Sequence, residues 1–146
     1  MLISVIITTY NNPNFLQRCI NSFLDQEDSH FEIIVADDGS KEETKLLIKK
    51  YKDSHLNIKH AWHEDKGFRA AKIRNEAVKK SSGEYLIFID GDCGAFSDFI
   101  QNHKIISEKG FFARGNRIML SENFSHILIK ENHNINLIGF MKYIKL

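Results

Sequence analysis

The 146-residue sequence predicts an α/β protein whose doubly wound, mostly parallel sheet is flanked by helices, and three observations predict it. Apolar runs of strand length, rich in β-branched and aromatic residues, recur at 2–8, 31–36 and 85–89. Between them lie stretches with apolar residues at helical spacing, the arrangement of strand, helix and parallel strand joined by crossovers. Each strand-like run also stops on polar residues, Thr8-Thr9-Tyr10, Asp37-Asp38 and Asp90-Gly91-Asp92. Sheets of this kind bind ligands outside the carboxyl ends of their strands, so these three ends share one candidate rim.

In chain order, Leu2 to Thr8 is a buried strand, and Asn12 followed by Pro13 marks a helix start. Phe15, Leu16, Cys19, Ile20, Phe23 and Leu24 give that helix an apolar face. Phe31 to Ala36 is the next strand, and Ser40 with Glu43 predicts a capping box opening a helix through about Tyr51. Leu56, Ile58, His60 and Trp62 alternate with other residues as a short strand near the sheet edge. Gly67 precedes a helix whose first turns carry Arg69 and Lys72, a place suited to an anion, while Phe68, Ala71, Ile73 and Ala77 are assigned to packing. Arg74 reads equally as a solvated helix charge or as a site cation. Glu84 to Cys93 holds the strand expected to be buried on both faces, and Ser97 is expected to cap a helix through about Lys109. Phe111 to Leu120 suggests one or two further strands.

Composition excludes several classes of function. The 20 basic and 19 acidic residues nearly balance, which gives no footing for nucleic acid. Two cysteines without Cys-x-x-Cys spacing predict free thiols, not a disulfide framework or a zinc site. The seven histidines show no ligand spacing, and His60 and His63 are assigned to the surface or the sheet edge. The start lacks a basic n-region and no run reaches the ~18 apolar residues of a membrane span, so a cytoplasmic location is expected. Asp90 and Asp92 offer hard oxygen ligands suited to Mg²⁺ or Mn²⁺, with Gly91 leaving room for a ligand, although Asp-Gly is also an ordinary turn signal.

Four segments carry a resemblance. Ser-Val-Ile-Ile-Thr-Thr-Tyr-Asn, Ile-Val-Ala-Asp-Asp-Gly-Ser, Asp-Lys-Gly-Phe-Arg-Ala-Ala-Lys-Ile-Arg-Asn and Gly-Glu-Tyr-Leu-Ile-Phe-Ile-Asp-Gly-Asp, in this order, resemble the inverting family 2 glycosyltransferases, which have the Rossmann-like GT-A fold. Within that family the chain is similar to bacterial enzymes that build lipooligosaccharide or capsular polysaccharide. The resemblance implies a nucleotide sugar donor, a UDP-sugar, and a glycan or glycolipid acceptor at the inner face of the membrane. It further implies that Thr8 and Tyr10 line the nucleoside pocket, that Asp38 accepts from the base, and that Arg69 contacts the base or diphosphate. Asp90 is then placed by the ribose, and Asp92 holds Mn²⁺ or Mg²⁺.

The likeness divides the chain into a nucleotide-sugar-binding part, 1–120, and a divergent or truncated tail, 121–146, with the acceptor half of relatives missing. Glu122 and Glu131 are the carboxylates left after Glu108, and neither has the motif context of a catalytic base. Leu137 to Leu146 mixes apolar residues with lysines and suits contact with a membrane surface or packing on the domain. Two functions follow, a working glycosyltransferase or a donor-binding fragment of one. A phosphotransferase of the haloacid dehalogenase type, which also uses Asp-x-Asp, is set aside because here that motif ends the fourth strand and not the first.

Overall fold

A computed structural model describes residues 1–54, 56–123 and 125. The elements run β1 (Ile3–Thr9), α1 (Pro13–Asn21), β2 (Phe31–Asp37), α2 (Glu42–Asp53), β3 (Ile58–Trp62), α3 (Ala70–Lys80), β4 (Tyr85–Asp90) and α4 (Phe99–Ile106). The four strands form one sheet in the order β3-β2-β1-β4, and every pairing is parallel. From β1 the chain winds outward through β2 to β3, then α3 carries it back across the sheet to β4 on the other side of β1. The strand order therefore reverses between β1 and β4, and that crevice is where open α/β sheets take ligands.

The period of two along the strands separates two cores. Ile3, Val5 and Ile7 of β1 face the same way as Ile33, Val35, Ile58 and Ile87, and this side is covered by Leu16, Cys19 and Ile20 of α1, Ile48 and Tyr51 of α2 and Ile100 of α4. The opposite side, Ile6, Ile34, Ala36 and Ala61, meets Ile73 and Ala77 of α3. Full burial of one such isoleucine is worth ~1.5–3 kcal/mol, and the small alanines let α3 approach the sheet closely. Both free cysteines are present as expected, and burial pushes the Cys19 thiol pKa well up.

Local signals were met unevenly. Asn12 caps α1, its Oδ1 accepting from Phe15 N at 3.4 Å, with Pro13 in the first turn. The capping box at Ser40 does not form: α2 starts after Lys41 with no side-chain cap, and Ser40 Oγ instead accepts from Asn11 N at 2.8 Å. β4 is not buried on both faces. It lies at the sheet edge among the described residues, and Phe88 is 53% exposed. Phe111 to Leu120 holds no strand, with Phe111 and Phe112 exposed, and α4 begins after Asp98, not at Ser97. Among the described residues no helix is long and apolar enough to cross a membrane. Leu137 to Leu146 and Glu131 lie outside the described residues.

The amino end of the sheet is tied by a buried carboxylate. Glu32, side chain 2% exposed, pairs with Lys59 Nζ at 2.7 Å and accepts from Ser4 Oγ at 2.7 Å. Ser82 N also donates to it, and Ser4 Oγ accepts in turn from Gly83 N at 2.8 Å, which fixes the start of β4 against β1. Burial opposes ionisation of Glu32, but Lys59, Ser4 and Ser82 together outweigh it and hold the carboxyl below its usual range.

Glu32→Leu should therefore cost ~1–3 kcal/mol, the penalty for leaving Ser4 Oγ and Ser82 N without their acceptor while Lys59, 37% exposed, turns to water, read as a lower urea midpoint at pH 7. Because the folded pKa is depressed, the stabilisation is complete above the ordinary glutamate value of ~4.3 and disappears as the pH falls through the lower folded value. The unaltered chain should lose stability over that acid window, and Glu32→Leu should lose less there. Equal acid sensitivity in the two proteins would assign the effect elsewhere.

Candidate nucleotide-sugar site

The rim at the β1/β4 switch is built by register. Thr8 and Asp90 are partners across the two strands, and their side chains share the α3 face. Arg74 reaches over from α3, Nε donating to Thr8 Oγ1 at 2.8 Å and Nη2 to Asp90 Oδ1 at 3.0 Å. Arg117 Nη1 stands 3.6 Å from the other oxygen, Asp90 Oδ2. Asp90 thus sits between two guanidinium groups. Gly91 follows, its N–H donating to Thr8 O at 2.8 Å. A Cβ there would lie 2.9 Å from Thr8 O, so the space beside Gly91 is filled by β1 and is not left for a ligand. Asp92 comes next and is exposed, with Cys93 Sγ 3.6 Å from its Oδ1.

The end of β2 forms a second corner. Asp37 is buried, accepting from Ser40 N at 2.7 Å through Oδ1 while Oδ2 meets His60 Nε2 at 2.9 Å. Asp38, side chain 4% exposed, is held just as fully: Oδ1 meets His63 Nε2 at 2.7 Å and Oδ2 accepts from Arg69 N at 2.8 Å. Gly39 makes this corner possible. Its φ is +101°, and a Cβ would lie 2.7 Å from Asp65 Cα, so the β2 turn presses on the 63–69 loop. Asn11 Oδ1 accepts from Lys41 N at 3.0 Å, reciprocating the Asn11–Ser40 bond and locking the ends of β1 and β2 together.

Tyr10 joins the same loop from β1. Its hydroxyl donates to Asp65 Oδ2 at 2.8 Å, Gly67 N donates to Asp65 Oδ1 at 3.1 Å, and Tyr10 is half exposed. The hydrogen bond to Asp65, and then its charge, raise the Tyr10 pKa, while the bonds from Tyr10 and Gly67 lower that of Asp65. Arg69 turns its guanidinium back onto Glu64 O.

The residues expected at the site fall into two groups. Thr8, Asp90 and Asp92 line the switch, and Tyr10, Asp38 and Arg69 surround the 63–69 loop. Lys72 is exposed on α3. Phe68, assigned to packing, is 93% exposed, because it precedes α3 instead of lying on its buried stripe of Ala70, Ile73 and Ala77. Arg74 flanks that stripe, four residues on from Ala70, which is the sequence signal that could have decided in favour of a rim cation. His63, assigned to the surface, is the partner of Asp38. Nothing in its spacing marks it, since the pairing depends on how far the chain runs past β3.

Among the described residues no three His, Cys, Asp or Glu side chains group as a metal site. The donor set nonetheless suits a hard cation held partly by substrate. Asp90 is engaged by guanidiniums, so Asp92 is the carboxylate left facing solvent, and Mg²⁺ is usually held by one or two carboxylates plus substrate phosphates.

Comparison with known proteins bears on the family and the fold. The sequence profile of the family described as Glycosyl transferase family 2 matches residues 4–106. Validoxylamine A glucosyltransferase of Streptomyces hygroscopicus is 35% identical over 103 residues, covering 69% of this chain and 24% of that protein. The crystal structure of Staphylococcus aureus TarS 1-349 is 31% identical with a TM-score of 0.66, covering 72% of this chain and 32% of that one. A related crystal structure holds TarS in complex with UDP-GlcNAc, at 30% identity and a TM-score of 0.64 over 72% of this chain and 30% of that one. The Pyrobaculum calidifontis mannosyltransferase PcManGT in complex with GDP-Man and Mn²⁺ shares the fold, at 23% identity and a TM-score of 0.60, over 70% of this chain and 31% of that one. The chain spans about a quarter to a third of the length of these proteins. With the matched profile covering its strands and helices and the parallel sheet carrying the GT-A arrangement, the chain belongs to glycosyl transferase family 2.

Proposed function

We propose that this chain binds a nucleotide diphosphate sugar, a UDP-hexose, at the carboxyl rim of its sheet, and that its activity is inverting, metal-assisted transfer of the sugar to a growing surface glycan or glycolipid at the cytoplasmic face of a membrane. The observation that carries the reading is the β1/β4 switch point, where Thr8, Asp90 and Asp92 line one crevice with Arg74 across it. The TarS complex with UDP-GlcNAc supports the choice of donor. In this reading Thr8 and Tyr10 line the nucleoside pocket, Asp38 accepts from the base and Arg69 faces the base or diphosphate. Asp90 lies by the ribose and is held there by Arg74. Asp92 holds Mg²⁺ or Mn²⁺, which when bound neutralises charge on the departing diphosphate.

A second reading, that the chain is the donor-binding portion of such an enzyme, is favoured by its coverage of only 24% of the validoxylamine relative. Transfer needs a base within hydrogen-bond reach of the acceptor hydroxyl, in addition to a stabilised leaving group. The rim residues supply the second requirement.

Three measurements test these readings. UDP binding followed by calorimetry should strengthen with Mn²⁺, and Asp92→Asn should abolish that dependence; equal affinity in EDTA would remove the metal from the proposal. Asp38→Ala should weaken uridine and UDP alike, whereas Arg69→Ala, acting on phosphate, should weaken UDP more than uridine. Loss of a charged hydrogen-bond partner costs ~1.5–3 kcal/mol, about ten- to a hundredfold in affinity. Binding unchanged in both variants would show both residues to be misplaced. Finally, the 146-residue chain should bind UDP yet transfer sugar ~10²- to 10⁴-fold more slowly than a version extended by downstream coding sequence, the range general base catalysis typically contributes. Matching rates would overturn the donor-binding reading and point to Glu122 or Glu131 as the base.

A further inference from the structure

Two buried side-chain polar atoms lack a hydrogen-bond partner among the described residues, His63 Nδ1 and Arg69 Nε. They belong to the two residues that hold Asp38, one through its ring and the other through its backbone N–H. An unpartnered buried polar atom is costly, and two of them flanking one carboxylate mark a place where something other than packing sets the residue types.

The neighbouring His60–Asp37 pair shows what a packing role looks like. Asp37 uses its other oxygen to close the β2 turn through Ser40 N, and its side chain is 1% exposed, beneath the rim. Asp38, its side chain 4% exposed, instead has its other oxygen on the N–H of Arg69, the residue just before α3, so both of its partners belong to the 63–69 loop that Tyr10 joins through Asp65.

We propose that His63 is the positioning residue for base recognition: its Nε2–H, donated to Asp38 Oδ1, presents the Asp38 carboxylate to an incoming nucleobase N–H in one fixed orientation. The inference rests on the reading of Asp38 as the residue that accepts from the base. Because Nδ1 has no partner, the tautomer of the ring is set from one side only, by the carboxylate, which keeps the proton on Nε2. Each carboxylate oxygen has a second lone pair, so Asp38 can accept from the base while retaining both of its present bonds. A carboxylate anchored in this way loses little side-chain freedom when the nucleoside arrives, which is the advantage of preorganisation.

The test compares uridine and UDP affinity in the unaltered chain, His63→Leu, His63→Gln and His60→Leu, with the melting temperature of each ligand-free protein as a control. Gln carries an N–H donor in place of Nε2 and Leu carries none. His63→Leu should weaken uridine and UDP by the same factor, about tenfold, while His63→Gln restores binding to within about threefold and His60→Leu lowers the melting temperature but leaves both uridine and UDP affinity at the parental value. Nitrogen-15 spectra of the His63 ring should show the Nε2–H tautomer in the free protein and a shift of that nitrogen on titration with uridine. The spectra decide the matter if His63→Leu does not fold: a ring whose nitrogens ignore uridine overturns the inference. Parental binding by His63→Leu, or failure of His63→Gln to restore binding in a folded protein, also overturns it while leaving the proposed function standing. If the unaltered chain binds neither uridine nor UDP, the proposed function falls and this inference falls with it.

Discussion

Strand β1 is hydrogen-bonded in parallel to β2 on one side and to β4 on the other, and this double pairing determines where polar side chains can go. Both faces of β1 are covered by helices, so its interior residues are apolar apart from Ser4, whose hydroxyl is bonded to Glu32. Chemistry is left to the strand's carboxyl end, where Thr8 and Tyr10 emerge. The same pairing carries β2 and β4 to that level, bringing Asp38 and Asp90 to the rim without any contact between distant loops having to be formed first.

The two ends of the sheet handle buried charge differently. At the amino end Glu32 is ionised and answered by Lys59, Ser4 and Ser82, a closed arrangement that fixes the start of β4. At the carboxyl end Asp38 and Asp90 are also answered, by His63 and Arg69 N and by Arg74 and Arg117, but there the two carboxylates differ in exposure, Asp90 being half exposed and Asp38 buried. Asp90, with half its side chain exposed, can exchange a guanidinium for a ligand hydroxyl at small cost, since ion pairs in contact with water are worth little. Asp38 is nearly buried and keeps both of its partners, so its carboxylate has one fixed orientation.

Much of the fold was legible because periodicity and punctuation agreed. The alternation at Ile58, His60 and Trp62 predicted an edge strand and β3 is one, and Asn12 with Pro13 marked the start of α1. The failures have a common physical cause, that local patterns do not see what lies across the sheet. Ser40 and Glu43 satisfy the capping-box pattern, yet the Ser40 hydroxyl is claimed by Asn11 from another loop. The run from Tyr85 to Ile89 is as apolar as a central strand, and only the topology shows that β4 has one neighbour among the described residues. At the rim, Thr8, Asp38 and Asp90 could be placed at strand ends from the sequence and Arg74 beside the buried stripe of α3 from its spacing, whereas His63 could be assigned only once its pairing with Asp38 was visible.

Gly91 carries a consequence for how variation in this chain is to be interpreted. A side chain there would meet the Thr8 carbonyl, a backbone atom that can yield only if β1 and β4 separate, and separation would tilt Asp90 and Asp92 away from the crevice together. A saturation survey scored on activity would thus find the position between the acids as intolerant as the acids themselves. Such intolerance would report strand spacing, so sequence constraint at this rim overcounts contact with any ligand, and a residue that only spaces β1 from β4 would be ranked beside the two carboxylates on either side of it.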